Sequence, residues 1–245
     1  MGLGERVAEL TKKKTLHFSL IDPDKQKPDE AGALAKTVAE AGSSAIMIGG
    51  STLSSQKQVD ETVKAVKEKS ALPTILFPSR AKFLSKYADA LFFMSLLNSR
   101  NLDYVIREHV KGAQFVKASG LEPIPMGYVI VEPGMTVGKV GEADLVKKDD
   151  VETAVGYALA AQYLGMKFFY LEAGSGARYP VSNEMIAAVK RNIDIPLIIG
   201  GGIRNKQTAR EKARAGANII ITGTTLERAK NLKKALAEMI QAIEG

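Results

Sequence analysis

The amino-acid sequence predicts a closed (β/α)8 barrel, and three observations predict it. Eight short apolar runs rich in β-branched and aromatic residues alternate with longer amphipathic segments from end to end. Each run is apolar nearly throughout, as a strand covered on both faces must be. No linker or low-complexity stretch breaks the alternation, so the 245 residues read as one domain, 1–245; single α/β barrels reach this length.

The strands fall at 16–23 (LHFSLIDP), 44–50 (SAIMIGG), 72–78 (LPTILFP), 89–96 (DALFFMSL), 127–133 (GYVIVEP), 167–174 (KFFYLEAG), 195–202 (IPLIIGGG) and 218–224 (NIIITGT). Helical patterns at 29–42, 151–165 and 206–216 each end at a glycine suited to a C-terminal cap. Two connections depart from the pattern. After Pro78 only SRAKFLSKYA precedes the fourth strand, which predicts a third helix that is short or replaced by an extended segment. The stretch 135–150 (MTVGKVGEADLVKKDD) predicts a long polar loop, and such loops at a barrel mouth usually carry function.

Apolar residues make up 45% and charged residues 25%, enough for a large core and too apolar for disorder. A formal charge of +7 draws anions. The basic residues are scattered without an aromatic-interleaved stripe, so nucleic acid is not expected. With no cysteine, disulfides, thiolate metal sites and a cysteine nucleophile are excluded. The charged N-terminus has no apolar signal core, and no run of about 18 apolar residues could span a bilayer. The expectation is a cytoplasmic enzyme, with contact to a membrane surface left open.

Barrel enzymes build their sites at the C-terminal ends of the strands. Strands seven and eight end in GGG (200–202) and TGT (222–224), where glycine lets backbone amides approach a phosphate, so the barrel is of the phosphate-binding type. The sixth ends in YLEAGSG (170–176), which adds a carboxylate, Glu172, beside a further anion-binding turn, well placed as a general base. Across the mouth, IDPDK (21–25) and GGST (49–52) offer Asp22 and Ser51, hard oxygens suited to Mg²⁺ held jointly with substrate phosphates. Asp22 and Asp24 could instead cap the turn before Pro28. His17 starts a strand and His109 lies on a helix, so a histidine-based metal site or triad is not expected. Met47, Met94 and Met126 could soften a groove for a flexible chain, and LFFMSLLNSRN (91–101) carries apolar residues toward the mouth.

Taken together, IDPDK, MIGGST, LFPS, FFMSLLNSRN, GYVIVEPG, YLEAGSGA, IIGGGIR and ITGT resemble, in this order, the geranylgeranylglyceryl phosphate synthase family, in its larger, mainly archaeal branch. The resemblance covers nearly the whole chain. It implies an ether bond formed between geranylgeranyl diphosphate and the C3 hydroxyl of sn-glycerol 1-phosphate, a Mg²⁺ cofactor, and a homo-oligomer, dimer or hexamer. Carried over by motif, Asp22 and Ser51 would hold Mg²⁺. Tyr170, Leu171, Glu172, Ala173, Gly174, Ser175, Gly176, Gly201, Gly202, Gly223 and Thr224 would surround the glycerol phosphate, with Glu172 as base aided by Tyr170. The family's smaller branch has a lysine where this chain has Leu20, so the cation for the diphosphate must come from elsewhere, with Lys25 and Arg204 as candidates. Two rivals share the barrel: a sugar-phosphate isomerase using Asp22 and Glu132, and a non-catalytic barrel binding a phosphorylated metabolite.

Overall fold

The computed structural model describes residues 1–223 and 231–244. Strands β1 (Leu16–Ile21), β2 (Ala45–Ile48), β3 (Thr74–Leu76), β4 (Ala90–Leu96), β5 (Glu122–Ile130), β6 (Phe168–Glu172), β7 (Leu197–Gly200) and β8 (Ile219–Thr222) pair in chain order, all parallel, and β8 closes on β1. The predicted (β/α)8 barrel is the observed fold.

Alternation along each strand divides the core into two layers. Phe168 and Tyr170 of β6 join Phe18, Met126, Tyr128, Ile198 and Ile221 inside the barrel, while Phe169 and Leu171 face the surrounding helices. Helix α1 (Leu3–Thr11) closes the bottom of the barrel by burying Leu3 and Val7 against the inner layer. The Glu122 carboxylate, at the start of β5, accepts from the Leu3 and Gly4 amides at 2.6 and 2.8 Å, satisfying two of the donors a helix start leaves open.

The outer layer is supplied by α2 (Pro28–Glu40), α3 (Gln56–Lys69), α4 (Glu108–Ser119), α6 (Val151–Tyr163), α7 (Asn183–Asn192), α8 (Lys206–Arg214) and α9 (Leu232–Glu244), while the short α5 (Met135–Val140) sits at the mouth with Val137 against the inner layer. Between β3 and β4 there is only a single 3₁₀ turn, Ala81–Phe83, as the short connection predicted. Phe83 and Leu84 occupy the outer layer there, packed with Val59, Val63, Leu91 and Val116.

Two expectations are corrected. Strand β5 begins at Glu122, five residues before the predicted start, and includes Pro123 and Pro125. The Pro125 carbonyl accepts from the Lys167 amide, so these prolines turn their missing donors toward β6, which starts only at Phe168 and offers no acceptor further down. The predicted polar loop at 135–150 opens with a helix: α5 is followed by a segment whose Val146 is buried and bridges to Val131. Asn98 pins this segment by donating to the carbonyls of Ile130 and Asp144 at 2.9 and 2.8 Å.

Candidate active site

Glu172 is the last residue of β6 and, like Phe168 and Tyr170 before it, faces inward. One carboxylate oxygen accepts from the Gly174 amide at 2.6 Å; the other accepts from the Tyr170 hydroxyl. Both oxygens press on backbone that has no side chain to clash with them, since a Cβ on Gly200 would stand 2.7 Å from Oε2. Burial pushes the Glu172 carboxyl above its ordinary range, and the bonds from Tyr170 and Gly174 work in the opposite direction. A carboxylate whose proton affinity is raised in this way suits proton abstraction near neutral pH.

Around it lie the predicted turns. Gly174, Gly176, Gly201 and Gly202 all have positive φ, between +72° and +98°, a backbone that L side chains rarely adopt. The turns after β6 and β7 touch: a Cβ on Gly201 would stand 2.6 Å from the Gly174 nitrogen, and one on Gly202 would stand 2.8 Å from the Pro180 nitrogen. Ser175 and Gly176 are exposed at the rim. Arg204, a candidate for the diphosphate cation, donates through one terminal nitrogen to the Gly176 and Ala177 carbonyls at 2.8 and 2.9 Å and so braces the turn. Gly223 closes the ring beside Leu20, and Thr224 lies outside the described residues.

Asp22 leaves β1 on the far side of the mouth. It accepts from the Asp24 amide at 3.1 Å, pairs with Lys25 at 3.8 Å, and lies against Gly50, next to Ser51. The cap reading of Asp22 therefore holds for the local turn, while Lys27 is the residue that starts α2. Glu132, which an isomerase would need inside the mouth, is exposed and accepts from the Lys148 amide at 3.2 Å.

Between these two sides opens a groove of about 800 Å³, its open mouth included, running out where the third helix is missing. Phe77, Leu84, Phe92, Phe93, Met94 and Leu96 are among its apolar walls, and Gly50, Ser51, Ser79, Arg80 and Glu108 are among the residues that line it with polar groups or backbone. Of the three methionines offered for a groove, only Met94 lines it; Met47 and Met126 are buried inside the barrel. Phe77, Tyr128 and Tyr170 join groove to carboxylate, with ring centroids 5.4 Å apart for Phe77 and Tyr128 and 4.9 Å for Tyr128 and Tyr170. Burial raises the pKa of both tyrosines, with the Glu172 charge adding to it, so both remain protonated donors. Sequence reasoning passed over Tyr128 and Arg80; the inward parity of β5 was the signal for the first, and no motif pointed to the second.

Fold and site together define a (β/α)8-barrel enzyme in which glycine turns, a buried carboxylate and an apolar groove meet at one mouth. The chain belongs to the PcrB family, which it matches over residues 8–243. This is the family the motifs resembled, as its named relatives show. The chain is 54% identical over 230 residues to a geranylgeranylglyceryl phosphate synthase of Methanosarcina mazei, covering 94% of this chain and 93% of that one. It is 51% identical over 239 residues to that of Thermococcus gammatolerans, covering 98% and 95%. Among solved structures, it superposes with a TM-score of 0.97 on the (S)-3-O-geranylgeranylglyceryl phosphate synthase of Thermoplasma acidophilum in complex with its substrate sn-glycerol-1-phosphate, at 44% identity over 100% of this chain and 99% of that one.

Proposed function

We infer that this chain is a prenyltransferase that joins geranylgeranyl diphosphate to the C3 hydroxyl of sn-glycerol 1-phosphate, forming the ether and releasing diphosphate. The observation that carries the reading is the meeting of two unlike sites at Glu172, a glycine cradle suited to a phosphate and an apolar groove suited to a long hydrocarbon. The relatives' names and the glycerol phosphate bound in the Thermoplasma acidophilum enzyme support the same assignment.

In this reading the cradle holds the acceptor phosphate and leaves its C3 hydroxyl at Glu172. The allylic C–O bond of the donor ionises, the hydroxyl oxygen bonds to the donor's first carbon, and diphosphate departs with the bonding electron pair. Glu172 takes the hydroxyl proton, and the Tyr170 hydroxyl steadies the carboxylate until it does. Holding both partners beside one base makes the attack effectively intramolecular.

Asp22 and Ser51 fit Mg²⁺. They offer hard oxygens, and Gly50 lets the carboxylate lie flush with the β2 exit, next to Ser51. A bound Mg²⁺ would offset the charge on the departing diphosphate. The reading includes a cytoplasmic homo-oligomer, dimer or hexamer. An exposed apolar line on and just before α4 supports association: Leu102, Ile106 and Val110 are 52%, 52% and 68% exposed.

The test is incubation of purified protein with labelled sn-glycerol 1-phosphate and farnesyl, geranylgeranyl or heptaprenyl diphosphate, with Mg²⁺ or with a chelator. Label entering an organic-extractable product, only with Mg²⁺ and best with the geranylgeranyl donor, is the expected result. Glu172→Gln should lower turnover by about 10² or more without unfolding the protein; an unchanged rate removes Glu172 from the role of base.

A further inference from the structure

We propose that Arg80 is the cation that receives the donor's diphosphate, with Tyr104 as its positioning residue; the donor's identity rests on the prenyl-transfer reading. The inward position two residues before Asp22 holds Leu20, which carries no charge, and Arg204, which braces the carbonyls of Gly176 and Ala177, is not among the residues lining the groove. The exits of β1, β2 and β3 stand in one row: a Cβ on Gly50 would collide with the Asp22 carboxylate, and one on Gly49 with the Phe77 carbonyl. Three residues beyond Phe77, Arg80 lines the groove together with Gly50, Ser51 and Ser79. It is the single lysine or arginine among the described residues that line it.

The guanidinium is oriented but not saturated. One N–H donates to the Tyr104 hydroxyl at 2.9 Å, the Tyr104 ring lies 5.2 Å away, and the Glu108 carboxylate stands at 3.9 Å, beyond hydrogen-bond reach. The side chain is 40% exposed. Its remaining donors form a planar fork that matches two phosphate oxygens. Glu108 would otherwise repel a diphosphate, but it is engaged by the Ala81 amide and by Lys111, each at 2.7 Å. A diphosphate held at Arg80 leaves the prenyl tail to lie on the apolar walls of the same groove.

Calorimetry with inorganic pyrophosphate, with and without Mg²⁺, tests this on wild type, Arg80→Met, Arg80→Lys and Tyr104→Phe, alongside KM for both substrates and melting temperature. Arg80→Met should weaken pyrophosphate binding by about tenfold or more and raise KM for the prenyl diphosphate by a similar factor. KM for sn-glycerol 1-phosphate should stay unchanged, Arg80→Lys should recover part of the loss, and Tyr104→Phe should show a smaller loss of the same kind. Pyrophosphate binding by Arg80→Met equal to wild type overturns the proposal. So does an equal rise in both KM values with a lowered melting temperature, which would make Arg80 a structural residue. A wild-type protein that binds pyrophosphate through Arg80 yet forms no ether product would sustain the site and strike the prenyl-transfer reading.

Discussion

His17 provides a quantitative test of the packing behind the site. It lies on β1 facing the helical layer, 1% exposed, with Nδ1 2.9 Å from the Ser43 hydroxyl and Nε2 2.9 Å from the Thr222 hydroxyl. Burial lowers its pKa from the ordinary 6.5 to about 3. The unfolded chain therefore takes up a proton near 6.5, and the folded chain only near 3. Between those values the unfolded state binds more protons, so stability falls as pH falls, by about 1.4 kcal/mol per unit at the steepest. From about pH 7 to about pH 4 the loss due to this one residue is about 3 kcal/mol. His17→Gln keeps a polar side chain that does not titrate. It should lower stability at neutral pH by about 1–2 kcal/mol through the altered hydrogen bonds, yet be free of this acid loss. Urea unfolding of both proteins across that range should find the gap between them moving by about 3 kcal/mol in favour of the variant at the acid end. Parallel losses in the two proteins would refute the assignment of a neutral, buried imidazole.

Tyr170→Phe removes a hydrogen bond that favours the ionised Glu172, so the carboxyl pKa should rise further and the acid limb of kcat/KM should move to higher pH; a limb that stays in place separates Tyr170 from the base. Gly201→Ala forces a side chain into φ +80° and against both the Glu172 carboxylate and the Gly174 nitrogen, the latter at 2.6 Å. It should raise KM for sn-glycerol 1-phosphate by about tenfold or more while that for the donor holds, and steady-state kinetics with each substrate varied would detect the opposite. Glu122→Gln weakens the seat of α1 by replacing a charged acceptor of the Leu3 and Gly4 amides, and should cost about 1–3 kcal/mol in urea unfolding with kcat unchanged.

What was legible in the sequence was what repeats. Parallel strands covered on both faces write themselves as apolar runs, and the turns after β6 and β7 need positive φ, so Gly174, Gly176, Gly201 and Gly202 appear as glycine. Glu172 could be read because strand parity places it inward beside those turns. The rest depends on contacts between segments far apart in the chain. The early start of β5 at Glu122, with Pro123 and Pro125 in it, could not be read, because the sequence does not say which neighbour starts later. The polar look of 135–150 hid its order, because the contacts that hold it, such as Asn98 to the Asp144 carbonyl and Val146 beside Val131, come from distant parts of the chain. Arg80 carried no motif, and its place is known only once β2 and β3 exit side by side.

The missing third helix ties these parts together. A (β/α)8 barrel normally seals each strand with a helix, and a barrel so sealed has no wall through which twenty carbons could lie beside the mouth. Here the seal between β3 and β4 is reduced to one turn, and Phe83 and Leu84 retain enough apolar burial to keep the strands covered below. The gap opens along β4, where Leu91 through Met94 and Leu96 line the groove while Ala90 and Phe92 also join the inner layer. The cradle lies across the barrel at β6 to β8, so in the proposed reaction the two substrates would approach from different sides and meet at Tyr128, Tyr170 and Glu172. That separation would let Glu172, as the proposed base, stay buried with its proton affinity raised while charged groups on the two substrates remain at the rim. Restoring a full third helix would therefore remove the hydrocarbon site and leave the phosphate cradle intact.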